Sequence, residues 1–150
     1  MNYKNRKIIL QKRPDGFPEE DDFNLVYSEI NELYHGEVIV EVMWLSLDPY
    51  MRGRMSAAKS YAAPINIGDI VVGGAVGKVV ESKCNGFKIG DIVESFTIGW
   101  QEYARVQGSN LRIVDHKLAP IQTAVGVLGM PGMTAYFGLF DVCKPIPGDN

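Results

Sequence analysis

The clearest pattern in the chain is the run Glu37–Leu45. Val38, Val40, Val42 and Trp44 fall on one face of an extended strand, while Ile39, Met43 and Leu45 make most of the other face apolar too. An extended segment that is apolar on both sides predicts a central strand. Shorter β-prone runs precede it at residues 6–10 and 23–30, separated by Pro14-Asp15-Gly16-Phe17-Pro18, a loop rich in turn formers. Downstream, Gly68-Asp69-Ile70-Val71 recurs as Gly90-Asp91-Ile92-Val93, each a Gly-Asp turn opening a β-branched run, with a strand-like stretch at 77–82 between them. Residues 100–106 and 111–114 supply two further strands. Turn signals about ten residues apart are those of a small antiparallel barrel or sandwich.

After Ala119 the period changes. Met133, Tyr136, Phe137 and Phe140 sit at i, i+3, i+4 and i+7, one face of a helix, with Thr134, Gly138 and Asp141 on another. Residues 118–140 form a stretch of 23 without Asp, Glu, Lys, Arg or His, long enough to span a bilayer. Gly126, Gly129, Pro131, Gly132 and Gly138 interrupt it, so the expectation is two short buried helices joined by a turn, not a membrane segment.

Composition narrows the possible classes. With 150 residues, of which 46% are hydrophobic, the chain can bury the core of one domain. The formal net charge is −3 and the basic residues are scattered among acids, which leaves no electrostatic footprint for nucleic acid. Ile8-Ile9-Leu10 is too short for a signal-peptide core, so a cytoplasmic location is expected. Cys84 and Cys143 lie far apart with no zinc-type spacing, and are expected to be buried free thiols in a reducing compartment. His35 and His116 flank turn-like residues and are expected to face solvent.

The chemistry concentrates at Leu45-Ser46-Leu47-Asp48-Pro49-Tyr50-Met51-Arg52. Proline fixes its own φ and biases the preceding residue away from helix, so Asp48-Pro49 turns the chain and brings Tyr50 and Arg52 beside the strand's end. Gly73-Gly74-Ala75-Val76-Gly77 superficially looks like a phosphate-binding loop, but such a loop must open a helix. Here it leads into the strand-like Lys78-Val79-Val80-Glu81, so these glycines read as close strand packing.

Several strings together resemble the N-terminal part of the medium-chain dehydrogenase/reductase superfamily. They are Leu47-Asp48-Pro49-Tyr50-Met51-Arg52, Gly73-Gly74 with Gly77, Gly90-Asp91-Ile92-Val93, Trp100-Gln101-Glu102-Tyr103, and Leu128-Gly129-Met130-Pro131-Gly132-Met133-Thr134-Ala135-Tyr136. Within it they are similar to the zinc-free branch of prostaglandin reductases, alkenal double-bond reductases and curcumin reductases. The resemblance implies a mainly β fold with C-terminal helices: a chaperonin-10 (GroES)-like, partly open β-barrel forming a substrate-side domain over residues 1–150. Residues 119–150 would lead into a Rossmann NADPH-binding domain absent from this chain, whose first strand is expected to begin near 145–150.

Zinc-dependent members of the superfamily carry a Cys where this chain has Asp48-Pro49 and a Gly-His-Glu where it has Gly73-Gly74-Ala75, so the resemblance implies no metal. It implies instead an oxidoreductase in which NADPH reduces the C=C bond of an α,β-unsaturated aldehyde or ketone. Tyr50 is then the candidate catalytic residue, its phenol lining the pocket and directed at the carbonyl oxygen; the structural alternative is packing on the barrel with its hydroxyl in solvent. Met130 and Thr134 correspond to positions near the nicotinamide; the structural alternatives are helix packing for Met130 and an N-terminal helix cap for Thr134. Trp100 and Tyr103 are expected in the core or pocket wall, and Arg52 in an ion pair. Full-length relatives are often homodimers, whereas residues 1–150 alone are expected to be inactive. Two other readings stay open: a zinc-free NADPH quinone reductase domain, and a non-catalytic binding module that meets a partner through 118–140.

Overall fold

A computed structural model describes residues 2–149. Strands β1 (Tyr3–Leu10) and β2 (Phe23–Ile30) form an antiparallel two-stranded sheet in unbroken register, Tyr3 opposite Ile30 and Leu10 opposite Phe23. The remaining strands are β3 (Glu37–Leu45), β4 (Ala75–Ser82), β5 (Ile92–Ser95), β6 (Tyr103–Gln107) and β7 (Arg112–Ile113). They make one antiparallel sheet in the order β6-β3-β4-β5-β7.

The two sheets are stitched together along β1. Its Ile8 N–H donates to the Trp100 carbonyl (2.9 Å), its Leu10 N–H to Asp69 (3.0 Å), and its Ile8 carbonyl accepts from Val71 N–H (3.0 Å). The buried Asn5 adds a side-chain tie, donating to Gln101 Oε1 (2.9 Å) and accepting from Tyr103 N–H (3.0 Å). The result is a mainly β, partly open GroES-like barrel, as the resemblance implies.

The core has two parts. Val38, Val40, Ala75, Val79, Val93, Ile98, Ala104 and Val106 pack inside the five-stranded sheet. Leu10, Ile65, Val71, Met51 and Met55 form a second cluster beside it, with Phe23, Tyr50, Val72 and Trp100 against its edge. Trp100 stacks on Phe23 with ring centroids 5.7 Å apart.

β3 is internal, as its pattern predicts, but apolar burial on both faces holds only for Val38–Val40. Register shifts at Ile39/Val40 and Val42/Trp44 bend the strand and carry Met43 and Trp44 out to about half exposure. Other bounds move as well. β1 starts three residues earlier than its apolar run, while Gln101 and Ile70 contribute isolated bridges to β1 rather than ladder strands. The run at 111–114 shrinks to the two residues of β7.

The C-terminal region departs furthest from expectation. It holds a 3₁₀ turn (Ile121–Val125), helix α2 (Met130–Phe137) and a π-helical turn (Gly138–Cys143). Neither α2 nor the π-helical turn buries a residue: Met133, Tyr136, Phe137 and Phe140 share a face, but that face is about half exposed. No helix among the described residues is long and apolar enough to cross a membrane. Cys143 is exposed on the π-helical turn and Cys84 partly exposed beyond β4, so neither is the buried thiol expected. His35 and His116 do face solvent.

The glycine run enters β4, and Gly77 shows why. A Cβ there would lie 2.2 Å from the Glu41 carbonyl oxygen of β3. G77A is expected to lower stability by about 3 kcal/mol, read as a drop in the urea midpoint. By contrast G53A, whose added methyl meets open space, is expected to raise it by about 0.5–1 kcal/mol.

Candidate functional site

β3 ends at Leu45, and Ser46 N–H holds the turn by donating to the Gly74 carbonyl (2.8 Å). The Ser46 hydroxyl donates to the Asp48 carboxylate (2.6 Å), and Pro49, at φ −55° and ψ −31°, begins a helix, α1 (Tyr50–Met55). Proline is well placed here because the first helical N–H groups lack intrahelical partners. The Asp-Pro pair therefore starts a short helix as it turns the chain.

The helix sorts its residues by period. Met51 and Met55, at i and i+4, are buried in the second core cluster. Tyr50 and Arg54, also four apart, share a neighbouring face that opens on a cleft of about 500 Å³. Tyr61, Val72, Phe96, Thr97 and Met130 complete its lining, an apolar wall with few polar groups, as ligand sites have. A larger groove of about 590 Å³ separates the β1–β2 hairpin from β6, but the buried amide on its wall, Asn5, is paired within the fold.

Two arginines hold α1 from opposite directions. Arg52 donates to the carbonyls of Gly16 (2.9 Å) and Pro14 (3.2 Å); it serves as a clamp on the 14–16 loop, not in the ion pair expected of it. Arg13 donates from that side of the molecule to the Met55 carbonyl (2.7 Å) and to Ile65 (3.1 Å), a cation at the helix C-terminus.

Tyr50 sits half-buried, and its phenol is held above the ordinary tyrosine pKa. Burial is the main cause, the Asp48 carboxylate adds to it, and the Arg54 charge opposes it. The hydroxyl therefore keeps its proton at neutral pH and has no hydrogen-bond partner among the described residues, which makes it a free donor facing the cleft. Arg54 Nε–H is likewise unpartnered and shut off from solvent. Leaving such a donor unmet costs about 1–3 kcal/mol.

Met130, the first residue of α2, also lines the cleft. Gly129 and Gly132 press α2 against the 124–127 segment: a Cβ would fall 2.0 Å from the Ala124 oxygen and 1.8 Å from that of Val127. Thr134 is exposed and absent from the lining; its hydroxyl donates to the Met130 carbonyl (2.8 Å), and Gly129, not Thr134, caps the helix. The structure thus brings Tyr50 and Met130 together and leaves Thr134 one turn away. Trp100 belongs to the core edge. Arg54, Tyr61, Val72, Phe96 and Thr97 are lining residues that the sequence motifs do not point to; only Arg54 carries a signal, its spacing of four from Tyr50. No group of three His, Cys, Asp or Glu side chains converges as a metal site among the described residues.

Comparison with known proteins decides the family. Residues 6–114 match the family described as the N-terminal domain of oxidoreductase. The chain belongs to this family. It is 43% identical over 148 residues to the NADPH-dependent curcumin reductase of Escherichia coli (strain K12), covering 98% of this chain and 42% of that protein. Against prostaglandin reductase 1 of Rattus norvegicus it is 41% identical over 137 residues, 89% of this chain and 39% of the relative. It superposes with a TM-score of 0.89 and 44% identity on the crystal structure of CurA in complex with NADPH from Vibrio vulnificus, over 96% of this chain and 42% of that one. Curcumin reductase and prostaglandin reductase are both among the enzymes that the motifs resemble. The chain spans about two fifths of the length of the curated relatives it matches.

Because the folded state holds the Tyr50 proton more tightly than the unfolded chain, stability from this group is complete below the ordinary tyrosine value. It is lost as pH rises through the higher folded value. The tyrosinate absorbance difference between wild type and Y50F is expected to show a midpoint above 10, and wild type is expected to lose stability relative to Y50F in that alkaline range.

Proposed function

We propose that this chain is the substrate-side domain of a zinc-independent, NADPH-dependent reductase. Its reaction is reduction of the C=C bond of an α,β-unsaturated aldehyde or ketone. The observation that carries the reading is the Tyr50 hydroxyl, protonated and unpartnered in an apolar cleft that also presents Met130. The identity to an NADPH-dependent curcumin reductase over nearly the whole chain supports it.

The residues present fit one end of the cofactor. Met130 offers a polarizable thioether for packing on a flat ring, and the Thr134 hydroxyl keeps lone pairs that can accept from a carboxamide. No phosphate cradle accompanies them among the described residues, since the glycine run leads into β4. The nucleotide's phosphates are then held by a Rossmann domain that residues 119–150 lead into. When bound, NADPH supplies the hydride for the β-carbon of the enone.

This chain's own part is orientation and charge. Val72 and Phe96 give the substrate an apolar seat that excludes water, and the Tyr50 O–H donates to its carbonyl oxygen. That bond strengthens as negative charge gathers on the oxygen, so it favours the transition state over the ground state. Both cysteines are free, which suits a reducing cytoplasm.

Full-length protein with NADPH and a panel of enals, enones and quinones, followed at 340 nm, tests the reading. Turnover of enals or enones is expected to exceed that of quinones, and Y50F to lower kcat about 10²-fold with the fold retained. A quinone preference, or full activity in Y50F, would overturn it. Residues 1–150 alone are expected to leave NADPH fluorescence unchanged on titration, because one ring contact surface without a phosphate site binds weakly; tight binding would contradict the division of labour.

A further inference from the structure

Arg54 is the only charged residue among the seven that line the Tyr50 cleft. It also stands apart from every other arginine of the chain. Arg6 pairs with Glu102, Arg105 with Glu37 and Arg112 with Glu94. Arg13 and Arg52 spend their guanidinium groups on backbone carbonyls. The Arg54 side chain alone makes no hydrogen bond or ion pair among the described residues, and its Nε–H is closed to solvent as well.

A guanidinium presents five N–H donors and a permanent positive charge, and is costly to leave half-buried without an acceptor. Its position is not accidental to the fold. The Met51–Met55 side of α1 is committed to the core, which forces residues 50 and 54 together onto the cleft side. The cleft itself offers no acid: its other lining residues are two tyrosines, a valine, a phenylalanine, a threonine and a methionine. Asp48, the carboxylate that acts on Tyr50, is engaged by the Ser46 hydroxyl. The negative partner of Arg54 must therefore arrive from outside these residues.

We propose that Arg54 supplies the positive charge that stabilises the oxygen anion formed beside Tyr50 during reduction of the substrate. This rests on the reductase reading above. In the balanced step, hydride adds to the β-carbon and the C=C electron pair shifts to make the α-carbon a partner in a new C=C bond. The carbonyl π pair moves onto oxygen. The resulting enolate then takes a proton from solvent at its α-carbon, the C=O re-forms, and the alkene has gained two hydrogens while NADPH has become NADP+. Negative charge exists on the oxygen only between these events, which is when an uncompensated guanidinium contributes most. The charge also acts on Tyr50, opposing the burial and the Asp48 carboxylate that hold the phenol's proton. Tyr50 is thereby a better donor to an anionic oxygen than burial alone would leave it.

The test uses full-length protein with NADPH and a neutral enone, comparing wild type, R54M and R54K, with circular dichroism to confirm folding. R54M is expected to lower kcat on the order of 10²-fold with KM within about twofold, and R54K to recover most of the loss because it restores charge. A second readout needs no turnover: the alkaline midpoint of Tyr50, by difference from the matching Y50F background, is expected to rise in R54M and to stay near wild type in R54K. Wild-type kcat in R54M, a change confined to KM, or equal impairment of R54M and R54K with the Tyr50 midpoint unmoved would each overturn the role. An inactive wild type would instead remove the reductase reading and this role with it, an outcome visible before any variant is measured.

Discussion

The site depends on the burial of one side of a six-residue helix. A helix that short does not hold together by its own hydrogen bonds, so its existence and its rotation are set by what it packs against. Met51 and Met55 go under Leu10, Ile65 and Val71, each contributing about 1.5–3 kcal/mol if fully removed from water. With that side committed, Tyr50 and Arg54 have only the cleft to face. Arg13 and Arg52 then fix the helix through backbone carbonyls, Arg52 reaching out to the 14–16 loop and Arg13 reaching back from beside that loop to Met55 and Ile65.

The same arrangement explains the chemistry of the cleft. Partial burial strengthens the hold of Tyr50 on its proton, and an apolar lining makes each remaining donor count for more than it would in water. The wall built from this chain is one side of a site. Tyr50 and Arg54 bring hydrogen-bonding capacity and charge to a space where no described residue pairs with the Tyr50 hydroxyl or the Arg54 Nε–H, and Met130 of α2 lines the same space. Preorganised donors without a resident acceptor are what a reaction that creates an oxygen anion requires. α2 itself presents an apolar face, Met133, Tyr136 and Phe137, on the same element that positions Met130.

How much of this could be read from the residues alone depended on what enforced each element. β2 and β3 begin and end where the alternating β-branched runs do, because turn formers bound both and the register leaves little choice. The bulge that turns Trp44 outward leaves no trace in the alternation, since it arises from pairing with β4. Gly77 was legible as a close approach but not as a contact with Glu41 in particular. At the site, Tyr50 and Met130 followed from the motifs. Thr134 did not end on the cleft wall, because its hydroxyl turns back to the Met130 carbonyl. Arg54 went unread because Asp48-Pro49 signals a turn, and only once that turn is seen to start a helix does a spacing of four mean a shared face. The apolar segment after Ala119 had the composition of buried helices, yet burial needs a partner surface that composition does not supply.

In the proposed reaction the Tyr50–Met130 cleft receives the substrate carbonyl compound. The most direct measurement is methyl NMR of full-length protein labelled at the methionine methyl groups, with NADP+ present and a neutral enone titrated in. The expected result is a saturable shift of the Met130 methyl and a cross-relaxation signal from it to the enone, with Met51 and Met55, which lie in the core, nearly unmoved. Saturable enone binding that leaves Met130 unshifted would place the substrate elsewhere and overturn the cleft's role.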